Sequence, residues 1–474
     1  MSRRPVHRGS PHSHRSGLSA SRLVSMFASM KTSVLAPLLG AIIVSNLACN
    51  SPGEEAPITP ICEGDIEVPD AQLRALLLAI LADPEASDGD TDTDTDTGGE
   101  PTLTAEALAG ITGLQAAGRD IVDLRGLECA RGLVTLGLAD NKVTSLAPLA
   151  TLTSLREIEL SNNPLEERGA LAQLTALEKL VLAGTGTADL AFLAPLTGLR
   201  HLDLAGNKVA DLTPLAGLTG LESLVLSNND VADATPLAEL AELFALELDA
   251  NKLTDAAPLA GLTRLEYLDL DKNQLPTLKP LAGLKRLRDL EASDNLLTDT
   301  AGLADKPDLV ELALEGNQIR KLAGLDGLAG VTTVDLDDNQ LTSLDGLEKL
   351  VSLRTLAVSA NQLTDLGGLR DLPDVRSLNL RDNPKLLALG PLAGLARLDS
   401  LTAGGHQLDQ DLTPLSGLAL LRALDLSESG TADYSPISGL PALRSLVLYG
   451  ARLDAADVTE FGKLVGLTNL DLSD

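Results

Sequence analysis

The side chains best placed to do chemistry in this 474-residue chain are carboxylates that recur at a fixed spacing. In the middle of the chain they alternate with leucines, as in the segment 268–271, which reads Leu-Asp-Leu-Asp. Such alternation indicates strands with one buried face, so that the carboxylates lie together on the opposite face. We call this set, with its one tyrosine, the acidic patch: Glu247, Asp249, Tyr267, Asp269, Asp271, Asp289, Glu291, Glu311, Glu315, Asp335 and Asp337.

The chemistry of the acidic patch permits two interpretations. Grouped carboxylates can bind a basic protein partner or divalent cations by electrostatic complementarity. They can also only keep a large exposed sheet soluble and discourage stacking. Energetically dominant residues of protein interfaces are enriched in Trp, Tyr and Arg, and the patch contains only Tyr267 of these types.

Catalytic and metal-binding arrangements are absent from the sequence pattern. Within the repeats only His201 and His406 could act as a base near pH 7, and neither belongs to a recognisable nucleophile–base pair. The alternating Asp-Thr run from Asp90 to Asp96 lacks the glycine turn and the distal glutamate of an EF-hand loop. We therefore expect no enzymatic activity, no cofactor and no metal site.

Composition and charge restrict the possible partners. The net charge is −30, which repels nucleic acid and anionic lipid, so neither is expected to bind the folded domain. The chain has no Trp, four Phe and three Tyr, while 44% of its residues are hydrophobic. The core must therefore be large and mostly aliphatic.

The first part of the chain carries features of export. The segment Val34–Leu47 is apolar and follows Lys31, and it is too short to span a bilayer but suits the core of a signal peptide. We assign residues 1–48 to a signal-peptide region, with a long first segment or a true start after Met1. Residues 49–60 are Pro-rich and polar and are predicted to form a tether.

The cysteines fit an oxidising compartment. The sequence 46–49, Asn-Leu-Ala-Cys, resembles a bacterial lipobox, although its first two residues depart from the usual pattern. This resemblance implies a lipid on Cys49 and, from the neighbouring Asn50, an outer-membrane or surface location; plain secretion or a periplasmic location is the alternative. Cys62 and Cys129 then remain and are predicted to form a disulfide, since two isolated cysteines without nearby His make a poor zinc site.

Residues 61–110 are predicted to cap the first end of a repeat array. Asp70 precedes apolar residues at helical spacing, beginning with Leu73 and Leu77, and is the expected N-cap of an amphipathic helix. The acidic, low-complexity segment 83–101 has no apolar anchors and is predicted to be a disordered insertion within this cap.

Residues 111–474 repeat one short unit. Its first apolar residue recurs every 22 residues from Ile111 to Val375, then at Leu398, Leu421, Leu443 and Leu467, giving sixteen full units and one partial unit. Each unit begins with strand-like alternation and continues with apolar residues at every third position, the spacing of a 3₁₀ turn. Prolines with a fixed φ occur at equivalent places in that second half: Pro148, Pro214, Pro236, Pro258, Pro280, Pro391, Pro414 and Pro436.

An asparagine column accompanies the leucines. A buried amide at this position can bond to backbone groups where the chain leaves the strand, so we interpret the column as structural and not as a site. Its members are Asn141, Asn163, Asn207, Asn229, Asn251, Asn273, Asn295, Asn317, Asn339, Asn361 and Asn383. The column departs from asparagine at Arg119, Thr185, His406, Ser429 and Ala451.

This pattern resembles the leucine-rich repeat, specifically the 22-residue internalin-like bacterial subfamily. The resemblance implies an α/β solenoid, right-handed and curved, with a parallel β-sheet on the concave side, 3₁₀ or irregular turns on the convex side and a small helical N-terminal cap. It further implies a non-enzymatic module that recognises a protein on its concave face. A structural envelope or adhesion spacer without a defined partner is the alternative.

Three places break the regular period and are expected to form local bulges: 383–385, 406–412 and 453–461. The last strand, 470–474, has no capping element after it in this sequence. Its edge must be guarded by Asp471 and Asp474, covered by another molecule, or continued by further chain.

Overall fold

The computed structural model describes residues 62–82, 102–405, 411–430, 433–451 and 453–473, all within a unit that begins at Pro60. The signal-peptide region 1–48, Cys49, the tether 49–60, the insertion 83–101 and His406 lie outside the described residues. Among the described helices, none is long and apolar enough to cross a membrane.

Seventeen short strands form one parallel sheet, in which each strand pairs with the strand of the next repeat. The register is exact from repeat to repeat: Leu268 pairs with Leu246 on one side and with Leu290 on the other. The strands are β1 (Gly113–Gln115), β2 (Thr135–Gly137), β3 (Glu157–Glu159), β4 (Lys179–Val181), β5 (His201–Asp203), β6 (Ser223–Val225), β7 (Ala245–Glu247), β8 (Tyr267–Asp269), β9 (Asp289–Glu291), β10 (Glu311–Ala313), β11 (Thr333–Asp335), β12 (Thr355–Ala357), β13 (Ser377–Asn379), β14 (Ser400–Thr402), β15 (Ala423–Asp425), β16 (Ser445–Val447) and β17 (Asn469–Asp471). The parallel solenoid expected from the repeat is confirmed.

The chain returns between strands through short 3₁₀ helices. The predicted prolines occupy the first turn of eight of these, where a missing N–H costs nothing and the fixed φ suits the turn. The described 3₁₀ helices are Leu127–Cys129, Ala147–Thr151, Gly169–Gln173, Ala191–Leu193, Thr213–Leu215, Thr235–Leu237, Ala257–Gly261, Lys279–Gly283, Leu347–Lys349, Gly367–Leu369, Gly390–Gly394, Thr413–Leu415 and Ser435–Ile437.

The core is a stack of leucine columns. In the unit that runs from Leu199 to Leu218, every apolar position of the repeat pattern is buried. Burying a leucine side chain contributes roughly 1.5–3 kcal/mol, and each unit buries about seven such residues. Because each repeat contacts mainly the repeats before and after it, stability is distributed along the array.

The asparagine column lies beside the leucines, and each of its amides bonds its own repeat to the preceding one. The side chain of Asn251 donates from Nδ2 to the carbonyl oxygens of Leu226 (2.8 Å), Leu248 (3.0 Å) and Asp249 (3.1 Å). Its Oδ1 accepts from the backbone N–H of Val231 at 2.9 Å. The same set of bonds recurs along the column, so these amides satisfy backbone groups that the sheet leaves unpaired.

The N-terminal end is closed by a helix, α1 (Ala71–Ala82), which packs Leu73 and Leu77 into the core. Asp70 caps it by accepting from the backbone N–H groups of Gln72 and Leu73, both at 3.0 Å. The other oxygen of Asp70 accepts from Val122 N at 2.8 Å, which ties the cap to the first repeat. Backbone hydrogen bonds outweigh burial and hold the pKa of Asp70 below its usual value.

Two further features complete this end. A short helix, α2 (Ala105–Ala109), begins at Thr104, whose hydroxyl accepts from Ala107 N at 3.2 Å. Cys62 and Cys129 are joined by a disulfide with a Cα–Cα distance of 5.5 Å. This bond covalently links the segment before α1 to the first full repeats.

Two of the three expected bulges can be compared with the structure, because residues 406–410 of the segment 406–412 lie outside the described residues. A turn at Pro384–Lys385 does accommodate the extra residue after β13. By contrast, the segment 453–461 contains a helix, α3 (Ala455–Phe461), and not a bulge. Asp454 and Asp457 form a capping box that starts the helix, and Phe461 packs edge-on against Tyr434 with ring centroids 5.4 Å apart.

A buried lysine interrupts one leucine column and was not anticipated. Lys306 takes the place held by Leu284 and Leu328 in adjacent repeats and is fully buried. Its Nζ donates to the carbonyl oxygens of Leu281 (2.9 Å) and Gly302 (3.0 Å). Burial lowers the pKa of Lys306 to about 8, and both hydrogen-bond acceptors of its amino group are backbone oxygens.

Candidate functional site

The sheet brings the members of the acidic patch together in rows. Because β7, β8 and β9 pair residue by residue, Glu247, Asp269 and Glu291 lie side by side on the outward face. Strand spacing separates neighbours in such a row by about 4.8 Å. The row is interrupted by Ala313 on β10 and resumes with Asp335 on β11.

A second row follows two residues later along the chain, where each repeat leaves its strand: Asp249, Asp271, Glu315 and Asp337, with a serine at the β9 repeat. The two rows are connected, since Asp269 Oδ1 accepts from the backbone N–H of Asp271 at 2.9 Å. Asp271 Oδ1 in turn accepts from Ser293 N at 2.6 Å. Some patch carboxylates therefore also satisfy backbone donors, a role that spacing alone did not reveal.

The remaining members frame these rows. Tyr267, Asp289 and Glu311 are the first residues of β8, β9 and β10, and all three are half-buried. The hydroxyl of Tyr267 donates to Glu291 Oε1 at 3.4 Å. Glu247 is 6% exposed and accepts from Ser227 Oγ at 3.3 Å, so it forms part of the floor of the patch.

Asp269, Asp271 and Glu291 form a group of three neighbouring carboxylates. One oxygen from each can lie within 4.8 Å of the others, a separation that a shared cation could bridge. A calcium ion prefers six to eight oxygen ligands, and this triad offers three. The geometry therefore suits an ammonium or guanidinium group, or a cation that keeps several waters.

The electrostatics of the patch favour entry of positive charge. Burial, followed by the neighbouring charge of Asp271, raises the pKa of Asp269 to about 9 and the pKa of Glu291 to about 8. Burial and the Asp249 charge raise the pKa of Glu247 to about 7. These carboxyl groups therefore hold protons near neutral pH that a cation could replace.

The shifts extend to both rows. Burial raises the pKa of Asp335 to about 7 and that of Asp271 to about 6, the latter opposed by its bond from Ser293. The pKa of Asp337 is also raised by burial, although hydrogen bonds from Ser359 oppose the shift. Raised carboxyl pKa values are thus shared by six residues of the patch.

His201 is one of the two histidines singled out by the sequence for their chemistry, and it is half-buried at the start of β5. On the sheet it lies between Lys179 and Ser223 of the adjacent strands. Burial lowers the pKa of His201, which leaves the ring neutral at pH 7.

Comparison with known proteins agrees with this architecture. The family model described as "Leucine Rich repeats (2 copies)" matches residues 197–239 and 330–371. An internalin from Listeria monocytogenes is 26% identical, with a TM-score of 0.56, and the match covers 80% of this chain and 95% of that one. The chain is an internalin-like leucine-rich-repeat protein.

Other solved structures share the fold of this leucine-rich-repeat protein. A Leptospira interrogans leucine-rich-repeat protein is 23% identical with a TM-score of 0.70, covering 78% of this chain and 97% of that chain. A plant peptide hormone receptor, solved in complex with RGF2, is 19% identical with a TM-score of 0.53, covering 78% of this chain and 75% of that chain. No curated protein sequence matches significantly.

The raised pKa values predict a pH-dependent stability. In the unfolded chain these carboxyls ionise near pH 4, so the folded state binds more protons between about pH 4 and 9 and loses stability as pH rises through that window. Removing one such group with Asp269→Asn should reduce the fall in melting temperature between pH 5 and 8.5 by roughly 2 °C. Thermal unfolding at both pH values measures this.

The matched control is Glu239→Gln, which removes one exposed carboxylate from a turn outside the patch. It should leave the pH dependence as it is in the wild type. Identical falls in melting temperature for the wild type and Asp269→Asn would contradict the assignment of the shift to the patch.

Proposed function

We propose that this protein binds a basic segment of another protein through the acidic patch on the outward face of its sheet. The observation that carries the proposal is the row Glu247, Asp269 and Glu291, whose pKa values are all raised by burial and by like charge. Leucine-rich-repeat proteins are typically binding modules and not enzymes. The plant receptor complex with RGF2 is one example of a protein of this fold holding a ligand.

Charge complementarity explains why a basic partner is favoured. An arginine or lysine entering between Asp269 and Glu291 replaces protons and relieves the repulsion among carboxylates. Arginine can bond two carboxylate oxygens at once, and neighbouring strands present such oxygens at about 4.8 Å intervals. Since Tyr267 is the only aromatic side chain in the patch, affinity must come mainly from these charged contacts.

The spacer interpretation is supported by a different observation. Asp269, Asp271, Asp335 and Asp337 all accept hydrogen bonds from backbone N–H groups, a structural use that needs no partner. Under this interpretation the remaining charge only keeps the sheet soluble. The two functions differ in whether removing charge from the patch changes what the protein captures.

We further propose that the protein is exported and anchored by a lipid on Cys49, at the outer membrane or cell surface. The Cys62–Cys129 disulfide supports an extracytoplasmic location, because such bonds persist in oxidising compartments. Contact with the membrane would then be made through the anchor alone, since the acidic surface repels anionic lipid. A periplasmic or secreted form is the alternative.

Charge reversal tests the acidic patch. The triple variant Asp269→Lys, Glu291→Lys and Asp335→Lys should lose at least tenfold in affinity for a fluorescein-labelled peptide of alternating Lys and Ser, because attraction becomes repulsion. Fluorescence anisotropy measures binding, and pull-down from envelope extracts then shows whether captured proteins are lost. The isosteric triple variant Asp269→Asn, Glu291→Gln and Asp335→Asn removes the charge without adding bulk, and it should show a smaller loss. It therefore separates the effect of charge from an effect of misfolding.

The matched control reverses three exposed carboxylates outside the patch: Glu239, Asp308 and Asp371. It alters net charge by the same amount, so it should weaken binding much less than the patch variant. Equal losses for both triples, or an unchanged set of captured proteins, would favour the spacer function.

Mass spectrometry of the mature N-terminus tests the anchor. We expect processing immediately before Cys49 and an acyl mass on that residue, and Cys49→Ser should abolish both. A mature protein that begins elsewhere or carries an unmodified Cys49 would contradict lipidation and leave plain secretion.

A further inference from the structure

We infer that the C-terminal half of the array carries a second binding surface, of opposite charge, for an extended acidic segment of another polypeptide. It is formed by what we call the arginine row: Arg354, Arg376, Arg422 and Arg444. Each arginine immediately precedes a strand, at the start of β12, β13, β15 and β16, and all four are exposed. The row lies in other repeats than the acidic patch and does not depend on the function proposed for that patch.

The same position in the N-terminal half shows what these arginines ordinarily do. There, arginines alternate with glutamates on the neighbouring repeats, and the pairs form salt bridges. Arg156 bonds Glu178 at 2.5 Å, and Arg200 is likewise paired with Glu222. The charges along that stretch therefore neutralise one another.

In the C-terminal half this pairing is incomplete. Arg422 bonds Asp399 at 3.0 Å, but the guanidinium groups of Arg354 and Arg376 make no hydrogen bond or ion pair with another described residue. Arg444 reaches only the carbonyl oxygen of Leu443, at 3.0 Å. The arginine row is thus locally positive within a chain of net charge −30. Some of its guanidinium N–H donors remain unpaired.

A cavity of about 600 Å³ lies along this row. Its lining includes Arg376, Arg422 and a third arginine, Arg397, together with Ser377 and Ser400. One carboxylate, Asp399, also lines it and is paired with Arg422, so Arg376 supplies the unpaired guanidinium of the cleft. Guanidinium and hydroxyl donors that converge on one cleft are suited to carboxylates. Arg397 is already paired with Asp374, which shows a carboxylate held at this edge.

The cavity also has an apolar wall that favours a polypeptide over a simple anion. Leu420 lines it and is 52% exposed. Inorganic phosphate would gain nothing from this leucine, whereas a peptide can place an aliphatic side chain against it. The row spans five strands, or roughly 20 Å, so the ligand must be extended and carry several carboxylates.

Binding of a fluorescein-labelled peptide of repeated Glu-Glu-Leu-Glu units to the full-length protein at low salt tests this inference. The double variant Arg354→Ala and Arg376→Ala should weaken binding about tenfold in fluorescence anisotropy. The control, Arg156→Ala and Arg200→Ala, removes the same charge from the paired half and should change affinity less than about twofold. Binding of the Lys-Ser peptide should be unaffected by either pair, so this test is separate from that of the acidic patch.

Two further measurements decide the chemistry of the ligand. Leu420→Ser should weaken binding of the acidic peptide severalfold, and inorganic phosphate at equal ionic strength should not displace that peptide. Absence of binding to the wild type, equal losses in the two arginine pairs, or full displacement by phosphate with no effect of Leu420→Ser would each overturn the inference.

Discussion

The constraint on which this structure depends is the satisfaction of backbone polar groups where the chain leaves the sheet in every repeat. Three-residue strands pair only briefly, so each turn exposes carbonyl and N–H groups to an apolar interior. The column asparagines supply both donors and an acceptor at this point, as Asn251 does for carbonyls on two repeats and an N–H of the earlier one. A buried group left unpaired would cost about 1–3 kcal/mol, repeated at each turn.

This column has a consequence for the surface. Because it fixes the register, side chains between the strand leucines fall into straight rows at strand spacing, whatever their chemistry. Carboxylates in such rows are half-buried beside one another, and burial, followed by the charge of Asp271, raises the pKa values of Asp269 and Glu291. Opposite charges at the strand starts pair instead, as Arg156 and Glu178 do. Both proposed binding surfaces are rows of side chains, aligned by the fold, in which the charges do not cancel.

Much of the fold could be predicted because it is periodic. The spacing of leucines, asparagines and prolines predicted the strands, the 3₁₀ turns and the number of repeats, and it placed the patch residues on one face. It could not predict Lys306 inside a leucine column or α3 in place of a bulge, because these depend on local carbonyl partners and on a capping box. The half-burial of the patch and the hydrogen bonds from the N–H groups of Asp271 and Ser293 also depend on the three-dimensional structure, so spacing could not predict them. Whether an arginine is paired depends on the residue at the same position of the neighbouring repeat, a signal that is present in the sequence.

Native-state hydrogen exchange on Asn251→Ala tests most directly whether the amide column holds the sheet together. We expect the amide of Val231, which Asn251 holds, to lose protection together with neighbouring strand amides, and the melting temperature to fall. Gln274→Ala, a change to an exposed amide side chain nearby, should leave both unchanged. Protection of Val231 and its neighbours equal to that of the wild type in Asn251→Ala would contradict the central role of the column.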